Sequence, residues 1–339
     1  MTASAMVAEF DDVAGWTADA VEQLGERHAI PAACRGSASP AALAWLAEAC
    51  ELREGTWLLD VGAGAGGPAA WAAERFGVRP ILLEPMPAAC RAAARLFKLP
   101  VIMADGRRLP LRPGSVDAAW CLGVLCTVQD KATLLKEIHR VLTPGGSLGL
   151  LVTVARCALI LPSPDGNHFP TQHELAELLD DTGFELLEQI DEPGDAPLSW
   201  SRRADQVAAI VATRHRTDPA FALAAGQGER FARLFASGQI SMQLIHAVTR
   251  PACPTSTRPA HGGTMSTPTG DNEFLHELET EVEAELNLAE ASHPEETTGL
   301  PPSQWLFDPM DVEREEIGLR DLLGAAEALE GKPRPDESV

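Results

Sequence analysis

Between residues 57 and 153 the chain alternates short, nearly continuous apolar runs with longer segments whose apolar positions recur at helical spacing. The runs fall at 57–61, 80–83, 101–103, 118–122 and 147–153. A strand covered on both faces reads as an unbroken apolar run, so this alternation predicts repeated βαβ units and a parallel sheet between helices. After the first run, residues 68–76 read as a helix. Beyond the fifth run the order shifts to a helix at 171–182, a strand at 184–190, helical stretches at 204–214 and 228–236, and a strand at 240–248. The two late strands are expected to close the sheet as an antiparallel edge. Ahead of the sheet, 12–24 is amphipathic, and Ser39-Pro40 supplies an N-cap and first-turn proline before Leu43, Leu46, Ala47 and Cys50 on one face. The expected fold is α/β: a doubly wound, mostly parallel seven-stranded sheet with helices on both faces, N-terminal helices and an acidic C-terminal extension.

Four regions follow. Residues 1–52 form a helical lid or substrate region, 53–250 the catalytic-type domain, 251–272 a Pro/Thr/Ser/Gly-rich linker, and 273–339 an acidic helical or partly disordered extension. About twenty acids against about five bases lie beyond residue 250, so most of the net charge of −22 sits in the last quarter. Leu275, Leu278, Val282 and Leu286 are spaced as one amphipathic helix there, and Ile317, Leu322, Ala326 and Leu329 as another. Met265 opens a stretch that reads like a protein N-terminus, as if a small protein had been fused. An acidic chain is a poor match for a phosphate backbone, which excludes nucleic acid as the expected partner. Seven scattered cysteines, with no C-x-x-C pair and no metal-ligand spacing, point to reduced thiols and no metal. With no apolar run near the ~20 residues of a membrane span and no secretion signal, a cytoplasmic protein without membrane partners is expected.

The chemistry begins at Trp57–Gly67, an apolar strand that ends in Asp60 and Val61 and breaks into Gly62, Gly64, Gly66 and Gly67 before a helix. Such a corner lets backbone approach a ligand closely and points helix N–H groups at it. Alone the run is ambiguous. Gly62, Gly64 and Gly67 also satisfy G-x-G-x-x-G, with Glu84 near the distance of an NAD ribose acid. Walker-type phosphate binding is excluded, because no Lys-Ser or Lys-Thr follows the glycines.

Five landmarks in order narrow the reading: Leu58-Leu59-Asp60-Val61-Gly62-Ala63-Gly64-Ala65-Gly66; Leu82-Leu83-Glu84-Pro85-Met86; Ala104-Asp105-Gly106 with Leu109-Pro110-Leu111; Val116-Asp117-Ala118-Ala119-Trp120-Cys121; and Leu135 through Gly146, ending Thr143-Pro144-Gly145-Gly146. Together they resemble the class I S-adenosylmethionine-dependent methyltransferases, small-molecule type, with Val116 where that family often has Phe. The resemblance implies a cofactor site of Asp60, Gly62, Ala63, Gly64, Gly66, Glu84, Pro85, Met86, Asp105, Gly106 and Leu122. In it Glu84 accepts both ribose hydroxyls, Asp105 the adenine amino group, and Asp60 attracts the cofactor's ammonium. Met86 and Leu122 flank the adenine. The loop order disfavours hydride transfer, since a dehydrogenase needs no Ala-Asp-Gly-x-x-x-Pro loop.

The family's reaction needs an acceptor aligned with the carbon–sulfur bond and water kept out; a base is required only for an acceptor that must lose a proton. Acceptor-side candidates are Cys126 and Thr127 after the fourth strand, Phe169 after the fifth, Trp200 between the late strands, and Arg35 in a lid. His168 is the general-base candidate, set against a loop imidazole that merely caps the helix near Thr171. The expected activity is methyl transfer to an O, N, C or S atom of a small organic acceptor. Two other readings stay open: a catalytically silent cofactor-binding scaffold whose acidic tail recruits a protein partner, and a methyltransferase acting on a peptide or protein, its own tail included.

Overall fold

A computed structural model of the chain describes residues 3–34, 38–194 and 196–250. Its centre is a seven-stranded sheet of β1 (Trp57–Val61), β2 (Arg79–Glu84), β3 (Val101–Met103), β4 (Val116–Leu122), β5 (Leu142–Ala155), β6 (Phe184–Asp191) and β7 (Ile240–Thr249), in the order β3-β2-β1-β4-β5-β7-β6. β1 to β5 pair in parallel, and β7 lies antiparallel between β5 and β6. The two late strands thus close the sheet through antiparallel pairing, as the pattern predicts. β6 keeps the common direction and only β7 turns back, filling the place that β6 left beside β5.

Successive side chains of a strand face opposite sides, and both sides here are apolar. Leu58, Ala118 and Trp120 pack with Leu43 and Leu46 of α4 (Pro40–Ala49) and Trp71 of α5 (Gly67–Phe76). Leu59, Ala119 and Cys121 pack with Leu135 and Ile138 of α7 (Lys131–Val141) and Leu175 of α8 (Gln172–Asp181). Each buried leucine is worth about 1.5–3 kcal/mol, which explains why these strands tolerate no polar face.

The N-terminal helices extend further back than the sequence pattern predicts. A short α1 (Ala3–Met6) passes through a π-helical turn, Val7–Asp12, into α2 (Val13–Leu24), and α3 (Ala29–Ala33) follows. This layer is tied to α9 (Leu198–His215): buried His28 bonds Gln206 Oε1 at 2.9 Å, and Trp16 stacks on His215 at 4.1 Å between centroids. After α6 (Pro87–Phe97), the other departure is α10, which runs Pro219–Ala236 rather than starting at 228. Asp218 caps it by accepting from the Ala220 N–H, and Gly226 and Gly228 sit in its interior. Each such glycine costs ~1 kcal/mol, and the cap and tertiary packing outweigh it. β5 likewise begins at Leu142, paired with Val116, before a register shift absorbs the Pro144-Gly145-Gly146 turn. Among the described residues no helix is long and apolar enough to cross a membrane. The linker, the acidic extension and Arg35 lie outside the described residues.

Candidate active site

At the carboxyl end of β1 the chain turns through several glycines of positive φ. Gly62 has φ +72°, and a Cβ there would fall 2.3 Å from Val124 Cγ2, so only glycine lets the loop after β4 close against it. Gly64, at φ +54°, has open space on its Cβ side. The loop is held to β2 by the Gly62 and Ala63 N–H groups, which donate to the Leu83 carbonyl at 2.7 and 3.1 Å.

Two acids sit behind this loop. Asp60 is 1% exposed, and its Oδ2 is buried with no hydrogen-bond partner among the described residues. Burial first, then the charge of Glu84, pushes its carboxyl up to about 7, against a backbone hydrogen bond from Ala69. Glu84, 6% exposed at the tip of β2, accepts from the Gly64 N–H at 2.8 Å and the Met86 N–H at 3.0 Å. Burial raises its pKa while those two hydrogen bonds pull it down. Pro85 is exposed and Met86 half-buried as the N-cap of α6. Ala63 and Leu122 are buried, Leu122 at the end of β4. Asp105, beyond β3, is different in kind: its half-exposed carboxylate is held by Arg107, from the backbone N–H at 2.9 Å and the guanidinium Nε at 3.0 Å. The Arg107 guanidinium keeps its pKa low. Gly106 beside it packs tightly on Leu134.

On the acceptor side, Cys126 and Thr127 lie in a 3-10 turn, Leu125–Thr127. Burial pushes the Cys126 thiol up to about 11, and Thr127 Oγ1 donates to the Val124 carbonyl at 2.8 Å. The loop after β5 joins this turn, because the His168 N–H donates to the Cys126 carbonyl at 2.7 Å. The exposed His168 ring lines a cleft with Lys131 and Glu174, between the starts of α7 and α8. Phe169 packs edge-on against Phe231 of α10, 6.3 Å between centroids. Trp200 joins the cluster under α4, with Trp45 and Met242.

The sequence pattern assigns residues 1–52 to a lid or substrate region, but not the particular contacts that the N-terminal turn makes. Asp11 Oδ1 accepts from the N–H groups of Ala88 and Ala89, at 2.5 and 3.0 Å, across 77 and 78 residues, at the start of α6 beside Glu84. Met6 lies against Gly166, and Glu9 is near enough to Cys126 for its charge to raise the thiol's pKa. No local spacing announces such contacts; the acid pair Asp11-Asp12 was the one available signal, and it reads equally as a helix start.

This strand order, with a glycine loop after β1 and acids near the ends of β1 and β2, is that of a class I, Rossmann-like methyltransferase fold. Residues 59–150 match the family model described as a methyltransferase domain. The chain is similar to methyltransferase GfsG of Streptomyces halstedii, 31% identical over 121 residues, covering 34% of this chain and 44% of that protein. It is similar also to O-methyltransferase resE of Aspergillus sclerotiorum, 30% identical over 156 residues, 40% of this chain and 58% of that protein. The chain thus spans about half the length of the curated relatives it matches. Among solved structures it is similar to the [4+2]-cyclase SpnF, with 25% identity and a TM-score of 0.52 over 62% of this chain and 80% of that one.

Proposed function

We propose that this protein transfers a methyl group from S-adenosylmethionine to an O, N, C or S atom of a small organic acceptor by in-line displacement. The observation that carries this reading is the unpartnered, buried Oδ2 of Asp60 beside a glycine loop with open space at Gly64. A buried carboxyl oxygen without a partner is costly, and a cationic ammonium would relieve it. Glu84 would hold the ribose hydroxyls, with Gly62, Ala63, Gly64 and Gly66 cradling the chain beside it. Asp105 and Gly106, with Pro85, Met86 and Leu122, would border the adenine, Asp105 sharing its oxygens with Arg107. The bound donor supplies a sulfonium methyl with a good leaving group. The protein's part is then to orient the acceptor and exclude water. Cys126, Thr127 and Phe169 are assigned to the acceptor side, with Arg35 and Trp200 at its margins, and His168 as a base where the acceptor must lose a proton.

In this reading residues 1–52 close over the site, 53–250 form the enzyme, 251–272 link it to the rest, and 273–339 recruit a protein partner through their acidic surface. The free state of the six described cysteines supports a cytoplasmic location. A second reading draws on SpnF, whose name is that of a cyclase: the same fold can hold chemistry other than methyl transfer. Titration calorimetry with S-adenosylmethionine and S-adenosylhomocysteine, followed by mass spectrometry of cell extract supplied with deuteromethyl donor, separates the two. Binding with a labelled small molecule supports the enzyme, and a labelled tail peptide supports self-modification. Binding with no labelled product favours the silent scaffold, and absence of binding overturns methyl transfer and scaffold alike and leaves the second reading.

A further inference from the structure

The turn after β3 brings a cation onto the acid assigned to the adenine. The Arg108 N–H donates to the Asp105 carbonyl at 3.0 Å, and Asp105 Oδ1 accepts from the Arg107 N–H at 2.9 Å, so a tight Asx-type turn folds residue 107 back over residue 105. The guanidinium then closes on the carboxylate. Its Nε donates to Oδ1 at 3.0 Å and to Oδ2 at 3.1 Å, and its Nη2 to Oδ2 at 2.5 Å. Oδ1 is therefore held partly by backbone, whereas Oδ2 accepts from the guanidinium alone.

This grip is well formed but exposed. Both side chains are half open to solvent, where water and salt weaken an ion pair. Arg107 also lies within the field of a second acid, Asp130, at the start of α7. Asp130 keeps its own oxygens on the Thr133 N–H at 3.0 Å and the Thr133 hydroxyl at 2.7 Å, so it draws the guanidinium by charge without fixing it. Arg107 Nη1 makes no hydrogen bond among the described residues. The side chain is thus fastened along one edge, and a second carboxylate lowers the cost of its leaving Asp105.

We propose, resting on the assignment of Asp105 to the adenine, that Arg107 competes with the bound purine for this carboxylate and so sets how strongly the site prefers a 6-amino to a 6-oxo base. The adenine amino group donates, so it has to take Oδ2 from the guanidinium while Oδ1 stays with the Arg107 N–H. A 6-oxo purine accepts at the same position, which leaves the ion pair closed and meets the unused guanidinium protons. Both effects favour the 6-oxo base, and both act through Arg107.

The test is titration calorimetry of the full chain with S-adenosylhomocysteine and S-inosylhomocysteine, which differ at that edge of the base. Arg107→Met should bind the adenosyl compound about two- to fivefold more tightly than wild type, the range expected for release of one exposed ion pair, and the inosyl compound no more tightly. In an Asp105→Asn background the same substitution should leave the preference between the two unchanged. Wild type alone gives an independent reading. Salt weakens the ion pair but not a bond from a neutral amino group, so the preference for the adenosyl compound should rise with salt. A preference that Arg107→Met leaves unchanged, or still raises without the Asp105 carboxylate, overturns the proposal; should that variant not fold, an unchanged preference across salt does the same. Wild type that binds neither compound overturns the donor reading and this competition with it, so the two failures are distinguishable.

Discussion

Asp60 and Glu84, the acids near the tips of two adjacent parallel strands, are both buried, and the charge of one raises the pKa of the other. The fold carries two carboxylates where one would already be unfavourable. Asp60, pushed from an ordinary 3.8 to about 7, holds a proton in the folded state that the unfolded chain releases. The folded state therefore binds more protons between about pH 4 and 7, and the stability of the ligand-free protein falls as pH rises through that window. A rise of that size at a fully buried carboxyl corresponds to about 2–4 kcal/mol. Chemical denaturation of wild type and Asp60→Asn at pH 5 and pH 8 checks this. Wild type should lose stability relative to the variant, and parallel losses would falsify the assignment to Asp60.

Glu84 is the acid whose geometry is already set, since the Gly64 and Met86 N–H groups fix both its oxygens. Glu84→Ala should weaken S-adenosylmethionine binding by about 1.5–3 kcal/mol, the loss of a charged hydrogen-bonding group. Calorimetry on variant and wild type gives the difference. Unchanged affinity would remove Glu84 from the cofactor site.

What could be read in advance follows from how local each signal is. The glycine loop, Asp60 and Glu84 lie within contiguous strand-and-turn segments, so their placement at neighbouring strand tips was legible from pattern alone. Asp105 was placed beyond β3 correctly, but its capture by Arg107 two residues on was not read, because a turn leaves several side-chain directions open. The start of α10 at Pro219 was marked by Asp218-Pro219 and hidden by Gly226 and Gly228, two weak breakers that a long packed helix overrides. Asp11 at the head of α6, and the insertion of β7 between β5 and β6, depend on contacts far apart in the chain and have no periodicity to reveal them.

Gly67 is a point at which the N-terminal layer touches the glycine loop. A Cβ there would lie 2.5 Å from the Ala33 carbonyl carbon and 2.6 Å from the Cys34 N, and backbone cannot rotate aside. Gly67→Ala should cost about 1–3 kcal/mol as an overpacking change, with α3 displaced rather than the sheet. Cys34 reports on this directly, being buried with its thiol's pKa well above the ordinary range. Peptide mapping after brief alkylation should find Cys34 modified in the variant and protected in wild type, while Cys121 in the sheet stays protected in both. Equal protection of Cys34 would mean the helix accommodates the methyl.

Asp11 contributes two opposed effects that substitution can separate. Its carboxylate caps α6 through Ala88 and Ala89, and its charge also raises the pKa of Glu84 nearby. Asp11→Ala removes the cap and should cost about 1 kcal/mol. Asp11→Asn keeps an acceptor oxygen and removes the charge, so at pH 7 it should be as stable as wild type or slightly more so. Hydrogen exchange distinguishes anchoring from charge: residues 3–12 should exchange faster in the alanine variant and at the wild-type rate in the asparagine variant. If both variants leave exchange at 3–12 unchanged, the N-terminal turn is held by its packing on α10 and not by Asp11.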